Sequence, residues 1–426
     1  MNKYIQLLLI ISISIFCVSC KILNQEEKEP VKKISTIATG TSQLAQIYNP
    51  KSTTIHPKVF AQKNNSQDID LYVIISDSEL LFSKTTNGSI ARVKIFYKIM
   101  ESYENSALVD SCLKVINIPK GKTSKTYAIK LKVKEVELEK YVIQTTITDL
   151  NRGKMNINFV EIDKNNLVCS DNYKILYYEN SQPYKELYAD LNTELIIQNE
   201  NADKLYYKYI KIDETIPTTP YYYTNPDSII NCEITEKSNT FNLTIDKPGI
   251  YYITKDTTQN QGYSLPCFGN DHPNVTTPED MIKPLKYLTQ EEEYQNIANS
   301  PTKKLAIDDF WLGCTKDVKK AKEMIKIYYT RAVFANLYFT TYKQGMLTDR
   351  GMVYIVLGPP QNLALTTKAE IWTYIDRKQN RKYRFEFRKK STNLYDNDYQ
   401  LNRSSEFKPY WDKAVAAWRN GTLYTY

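Results

Sequence analysis

From residue 68 to residue 162 apolar and polar positions alternate. Ala91, Val93, Ile95, Tyr97 and Ile99 share one parity while Arg92, Lys94 and Lys98 hold the other, which predicts a strand with one buried and one wet face. The same period recurs at Tyr127, Ile129, Leu131 and Val133, interleaved with Lys130, Lys132 and Lys134, and again from Tyr141 to Thr148. Asn87-Gly88, Pro119-Lys120-Gly121 and Arg152-Gly153 fall between these runs as turn signals. Short strands, regular turns and no helical stretch predict an antiparallel β-sandwich over 56–164. A second β block is predicted over 165–275, with strands at Leu195–Ile197, Leu205–Ile212, Phe241–Ile245 and Ile250–Ile253.

After residue 278 the period becomes helical. Thr289-Gln290-Glu291-Glu292 has the spacing of a capping box, and Ser300-Pro301 places a cap before a proline at a first helical position, so two short helices are expected. From Asp317 the residues Val318, Ala321, Ile325, Tyr328, Ala332, Ala335 and Phe339 step by three and four, which predicts one long helix with a single apolar face for core packing. The turn Asp246-Lys247-Pro248-Gly249 ahead of Ile250-Tyr251-Tyr252 resembles the hairpins of immunoglobulin-like domains, so the second block is also read as a sandwich.

The first twenty residues belong to export rather than to the fold. Lys3 makes a short basic region, and the apolar run from Tyr4 to Phe16 is shorter than a bilayer span, as in a signal peptide. Cys17-Val18-Ser19-Cys20 resembles the lipobox of bacterial lipoproteins, with Cys17 in place of the usual aliphatic residue. That resemblance implies cleavage after residue 19 and acylation of Cys20; the bland alternative is an ordinary secretory signal with Cys20 as a free thiol. Acyl chains, at about 0.8 kcal/mol per buried CH₂, would hold the chain on a membrane without a spanning helix. Residues 20–55, with Glu26, Glu27, Glu29, Lys28, Lys32 and Lys33 followed by polar residues, read as a solvated tether. Glu26 and Glu27 lie late for a surface-export signal, so the face of the outer membrane stays open.

Composition narrows the chemistry. The chain has 426 residues, 35 Tyr and only two His, so any histidine-based triad or multi-histidine metal site must use His56 or His272. The net charge of +8 is spread as alternating lysines along strand-like segments, a pattern of solvated faces rather than a nucleic-acid surface. Cys112, Cys169, Cys232, Cys267 and Cys314 are odd in number, widely spaced and without a CxxC, so their pairing stays open and they are read mainly as small buried side chains. No cofactor and no metal is expected. Asp308-Asp309 and Asp396-Asn397-Asp398 lack an EF-hand loop, and the segment Gly269 to Asn274 offers one imidazole only and reads as a linker.

Two aromatic features are candidate partner sites. Tyr221, Tyr222 and Tyr223 lie in the proline-bounded loop 217–226, where exposed rings would stack on sugars or proteins; the alternative is packing on the sheet edge. Trp411, Val415 and Trp418 share one side of a short helix, which offers either a partner face or closure of the domain's own core.

Phe310-Trp311, the segment Tyr328 to Asn336, then Gly345-Met346-Leu347-Thr348-Asp349-Arg350-Gly351, Gly358-Pro359-Pro360 and Ile371-Trp372-Thr373-Tyr374 resemble the GWxTD-domain family across the last third of the chain. Met346 stands where that family has Trp. The family implies no reaction. Read from the residues alone, Gly345 and Gly351 free the backbone around Thr348 and Asp349, giving a tight turn that feeds a strand from Met352 to Leu357, closed by Gly358, Pro359 and Pro360. A catalytic centre on Thr348, Asp349 and Arg350 is the minority reading, because no histidine, thiol or second carboxylate lies at useful spacing. The order of elements and Trp372-x-Tyr374 also resemble, more weakly, outer-membrane assembly lipoproteins of the BamE and OmlA type.

The sequence therefore predicts two tandem immunoglobulin-like β-sandwiches in series followed by a C-terminal α+β domain over 276–426. The expected role is a non-catalytic, lipid-anchored component of the cell envelope that binds or braces outer-membrane or periplasmic proteins. The alternative is a glycan- or cell-wall-binding lipoprotein using the loop 217–226.

Overall fold

The computed structural model describes residues 44–426 apart from 51–53, 64–68, 87, 122, 124, 134–135, 165–172, 185, 200–201, 223–233, 259–261, 377–379, 391–394, 396 and 425–426. Cys20 and the signal segment, Tyr223, Cys169 and Cys232 lie outside the described residues.

The chain is mostly antiparallel sheet with a C-terminal helical region. The first block holds β1 (Lys58–Lys63), β2 (Ile69–Ser76), β3 (Ser83–Thr85), β4 (Gly88–Met100), β5 (Leu108–Pro119), β6 (Thr126–Val133), β7 (Lys140–Asp149) and β8 (Lys154–Asp163). One sheet runs β1-β2-β6 and a second β3-β4-β7-β8, with β5 paired to β4. The predicted alternation is realised in β4, where Ala91, Val93, Ile95, Tyr97 and Ile99 are buried. They meet Leu71, Val73 and Ile75 of β2 and Ile143 and Ile147 of β7 in one cluster. Each such aliphatic side chain contributes about 1.5–3 kcal/mol on leaving water.

The second block holds β9 (Lys174–Tyr177), β10 (Glu194–Gln198), β11 (Lys204–Ile210), β12 (Ile234–Ser238), β13 (Thr240–Thr244), β14 (Gly249–Thr254) and β15 (Tyr263–Cys267). Its sheets run β13-β10-β9 and β12-β11-β14-β15. Ile175, Leu195 and Leu243 from the first meet Leu205, Tyr251, Ile253 and Leu265 from the second in a common core.

The third region comprises α1 (Pro278–Leu285), α2 (Glu291–Ala298), α3 (Lys303–Thr315), α4 (Val318–Phe339), α5 (Asp349–Leu357), the antiparallel sheet β16 (Asn362–Leu365), β17 (Ala369–Asp376), β18 (Arg381–Lys389) and β19 (Tyr399–Leu401), and α6 (Lys408–Arg419). The long helix is the one predicted, capped by Asp317, whose Oδ1 accepts from Lys320 N at 2.7 Å. The capping box at Thr289 does not form: Gln290 precedes α2 without a side-chain cap, and Thr289 donates back to Leu285 O. Likewise α3 starts at Lys303, two residues beyond Pro301.

Three expectations are corrected. Met352 to Leu357 is helix, not strand, because Thr348 caps a turn that continues through Leu357, and all nine residues of α5 are buried. A helix packed on every side carries no polar stripe, so its sequence reads like a buried strand. Residues 44–48 are not solvated tether: they form a 3-10 turn whose Leu44, Ala45 and Tyr48 enter the core of the C-terminal region. The blocks are also not beads in series. Lys389 pairs with Glu161 at 2.7 Å, Glu104 accepts from Thr367, and Lys343 pairs with Asp213 at 2.7 Å, so the C-terminal region is tied to both β blocks.

Candidate functional site

The motif residues 345–351 form a 3-10 turn, Gly345–Leu347, leading into α5. Thr348 Oγ1 accepts from Gly351 N at 3.0 Å and donates to Gly345 O at 2.8 Å, so one hydroxyl serves both sides of the junction. The glycines are required by contact. A Cβ on Gly345 would lie 2.0 Å from Ala335 O, and one on Gly351 would lie 1.9 Å from Gly345 O. Met346 is buried, with its N bonded to Asn336 Oδ1 at 2.8 Å and its O to Tyr287 Oη at 2.7 Å. The turn is thus pressed onto α4 and pinned from two elements.

Asp349 and Arg350 point into separate buried ion pairs. Both Asp349 oxygens face Arg403, at 2.6 Å and 3.0 Å, and Oδ2 also accepts from Leu401 N at 2.8 Å. This is the bidentate geometry that fixes a guanidinium in both distance and plane. Arg350 Nη1 donates to Glu370 Oε1 at 2.8 Å, and Nη2 donates to Asn397 O and Oδ1 at 2.7 and 2.6 Å. Its plane also lies over the rings of Tyr399, 4.1 Å from the centroid, and Phe339. Burial opposes the Arg350 charge, but Glu370 and its other neighbours outweigh it and hold its pKa above the usual arginine value. Glu370 accepts further from Tyr48 Oη at 2.9 Å and Trp372 Nε1 at 3.0 Å. Burial, then Glu370, pushes the Tyr48 hydroxyl well above its ordinary pKa.

The model of the family described as GWxTD domain matches residues 249–420. The match starts at β14, so it takes in the last two strands of the second β block as well as the helical region. No curated protein matches the chain. Solved structures similar in part include a beta-glucuronidase of Bacteroides uniformis, at 12% identity over 34% of this chain and 16% of that one, with a TM-score of 0.17. Another is CBD12 from CALX1.2, at 10% identity over 46% of this chain and 76% of that one, with a TM-score of 0.15.

Within the GWxTD domain the motif residues Gly345, Thr348, Asp349, Arg350 and Gly351 are brought together at one junction. Gly358 ends α5 with φ 84°, a left-handed conformation that favours glycine, and Tyr374 Oη donates to its carbonyl at 2.8 Å; Pro359 and Pro360 follow it into β16. Sequence reasoning missed Glu370, Asn397, Arg403 and Tyr48. The ion-pair partners lie 20 and 54 positions from the motif, beyond any local spacing rule. The one signal available was Glu370 itself, a carboxylate beside the apolar Ile371-Trp372.

Trp411 and Trp418 are corrected as partner sites: each is 1% exposed. Trp418 Nε1 donates to Val356 O at 2.9 Å and its ring sits edge-on to Tyr328 at 5.0 Å, so the pair closes the domain's own core. Tyr222 by contrast is 65% exposed, with the half-buried Tyr221 ring 5.3 Å away. Lys408 lies over Tyr221, Arg403 Nη2 donates to Thr218 O, and Ser404 N to Pro220 O, so residues 218–221 are docked on the GWxTD domain. His272 is buried against Tyr188 and Phe268. Cys112, Cys267 and Cys314 are free thiols. Among the described residues no cluster of three or more His, Cys, Asp or Glu is placed to hold a metal ion, and no helix is long and apolar enough to cross a membrane.

Proposed function

We propose that the chain is a lipid-anchored, non-catalytic component of the outer membrane that binds or braces envelope proteins. The observation carrying this reading is that Asp349 and Arg350, the charged pair of the motif, are each spent on a buried structural partner, Arg403 and Glu370. A carboxylate held bidentate and a guanidinium enclosed by three acceptors and two rings have no free face for a substrate. The lipobox-like Cys17-Val18-Ser19-Cys20 supports the anchor, with Cys20 as the acylated residue.

We further infer that each β block is a sandwich and that the second is immunoglobulin-like. Supporting this, β9, β10 and β13 form one sheet and β11, β14 and β15 lie in the other, as strands A, B, E and C, F, G do in such domains, with β12 added at the edge beside β11. Tyr251 Oη also reaches back to Lys247 O at 2.9 Å and Asp246 Oδ1 at 2.8 Å, in the manner of a tyrosine corner.

The test is in-cell crosslinking of the native protein, gentle detergent extraction and mass spectrometry of what co-purifies. Envelope proteins in stoichiometric yield, lost from the Cys20→Ala variant that no longer reaches the membrane, are expected. Recovery of the chain alone overturns the reading. A glycan-binding role is favoured by one observation, the exposed Tyr222 ring beside Tyr221, and predicts retention on peptidoglycan or soluble glycan that Tyr221→Ala with Tyr222→Ala abolishes.

A further inference from the structure

Strand β5 is a long sheet edge with its apolar residues in water. Among the described residues it pairs only with β4, leaving its outer row of backbone N–H and C=O groups unpaired by another strand. Leu108, Val109, Leu113 and Val115 are 53%, 41%, 57% and 45% exposed. Proteins ordinarily blunt such an edge with charged side chains, which resist pairing with another strand. In β5 the two charges can satisfy each other across such a pair. Asp110 and Lys114 stand two positions either side of Cys112, on the same parity, so an antiparallel copy centred on Cys112 sets each against the opposite charge.

We propose that β5 is the contact strand of a symmetric dimer, pairing antiparallel with β5 of a second copy about a two-fold axis at Cys112. Centring on a residue rather than between two keeps parity across the interface, so the outward-facing Leu113 and Val115 of each copy stay on one face of a continuous sheet. In this register Asp110 opposes Lys114 of the second copy twice, Ser111 opposes Leu113, and Cys112 opposes itself. Centring one residue to either side sets Asp110 or Lys114 against uncharged residues. The β-bulge opposite Ile99 and Met100, at Val109, bounds the regular segment at Asp110, so in this register Asp110 to Lys114 of each copy pair regularly. Cα atoms of directly opposed residues lie about 4.5 or 5.5 Å apart in an antiparallel pair, both within disulfide reach. The exposed Cys112 thiol thus reports the register.

The experiment uses the purified full chain. Sedimentation equilibrium is expected to give about twice the mass of the purified chain. Diamide, which takes two electrons and two protons from the facing Cys112 thiols as the S–S bond forms, is expected to trap a covalent dimer. Cys112→Ser removes the covalent species and leaves the non-covalent one. Lys114→Glu sets carboxylate against carboxylate at both contacts and weakens association by roughly tenfold or more, and adding Asp110→Lys restores it. That rescue separates interface loss from misfolding. A covalent dimer that persists in Cys112→Ser, or a double variant no tighter than Lys114→Glu, overturns the proposal. So does a monomer at high concentration, whether its β5 amides exchange freely or are protected by another segment of the chain.

Discussion

Tyr48 Oη donates a hydrogen bond to Glu370 Oε1 at 2.9 Å, joining residues 322 positions apart. In return the Tyr48 carbonyl accepts from Tyr354 Oη at 2.9 Å. The segment that leaves the N-terminal region is therefore stitched into the GWxTD domain before the chain enters the first β block. Tyr48→Phe keeps the ring and removes the bond to a buried carboxylate, for an expected loss of about 1.5–3 kcal/mol in denaturant unfolding. An unchanged midpoint would mean that the segment does not brace the domain.

The two kinds of ion pair in the C-terminal region differ sharply in expected worth. Glu370→Ala leaves Arg350 charged and enclosed, with the side chains only 2% and 7% exposed, and is expected to cost about 3–5 kcal/mol. Lys304→Ala breaks the exposed pair with Asp308 on α3 and is expected to cost less than about 1 kcal/mol. Equal losses from the two would remove the buried network as the brace of the motif.

Glycine substitutions divide by the sign of their effect. Gly345→Ala and Gly351→Ala drive a methyl into backbone oxygens at 2.0 and 1.9 Å and are expected to destabilise by about 1–3 kcal/mol. Gly313→Ala, inside α3 with nothing near its Cβ, is expected to stabilise by about 0.5–1 kcal/mol. Thermal melts of the three variants separate close approach from chain entropy.

His272 predicts an acid limit. Burial, opposed by the charge of Asp280, pushes its pKa down from 6.5 to about 4. The folded imidazole stays neutral where the unfolded one gains a proton, so stability is complete above pH 6.5 and falls as the pH drops from there towards 4. The loss over this window is of order 3 kcal/mol at 1.36 kcal/mol per unit. His272→Gln is expected to flatten that part of the pH profile, and an unaltered slope would assign the acid loss to carboxylates instead.

The sequence determined what one period can encode. The alternation in β4 and most of the apolar face of α4 were legible because each depends on residues within a turn or a strand of one another. The glycines of the motif were legible as points of backbone freedom, though the close approach that requires Gly345 is to Ala335 of α4 and the one that requires Gly351 is to the carbonyl of Gly345. Tertiary structure alone decided that Met352 to Leu357 is helical, since a helix buried all round leaves no polar stripe in its sequence. It also decided that Trp411 and Trp418 face inward, that Tyr48 belongs to the C-terminal core, and that Asp349 meets Arg403 while Arg350 meets Glu370. Those contacts join residues 20, 54 and 322 positions apart, and a buried charge finds its partner through the packing of whole elements, which no local spacing records.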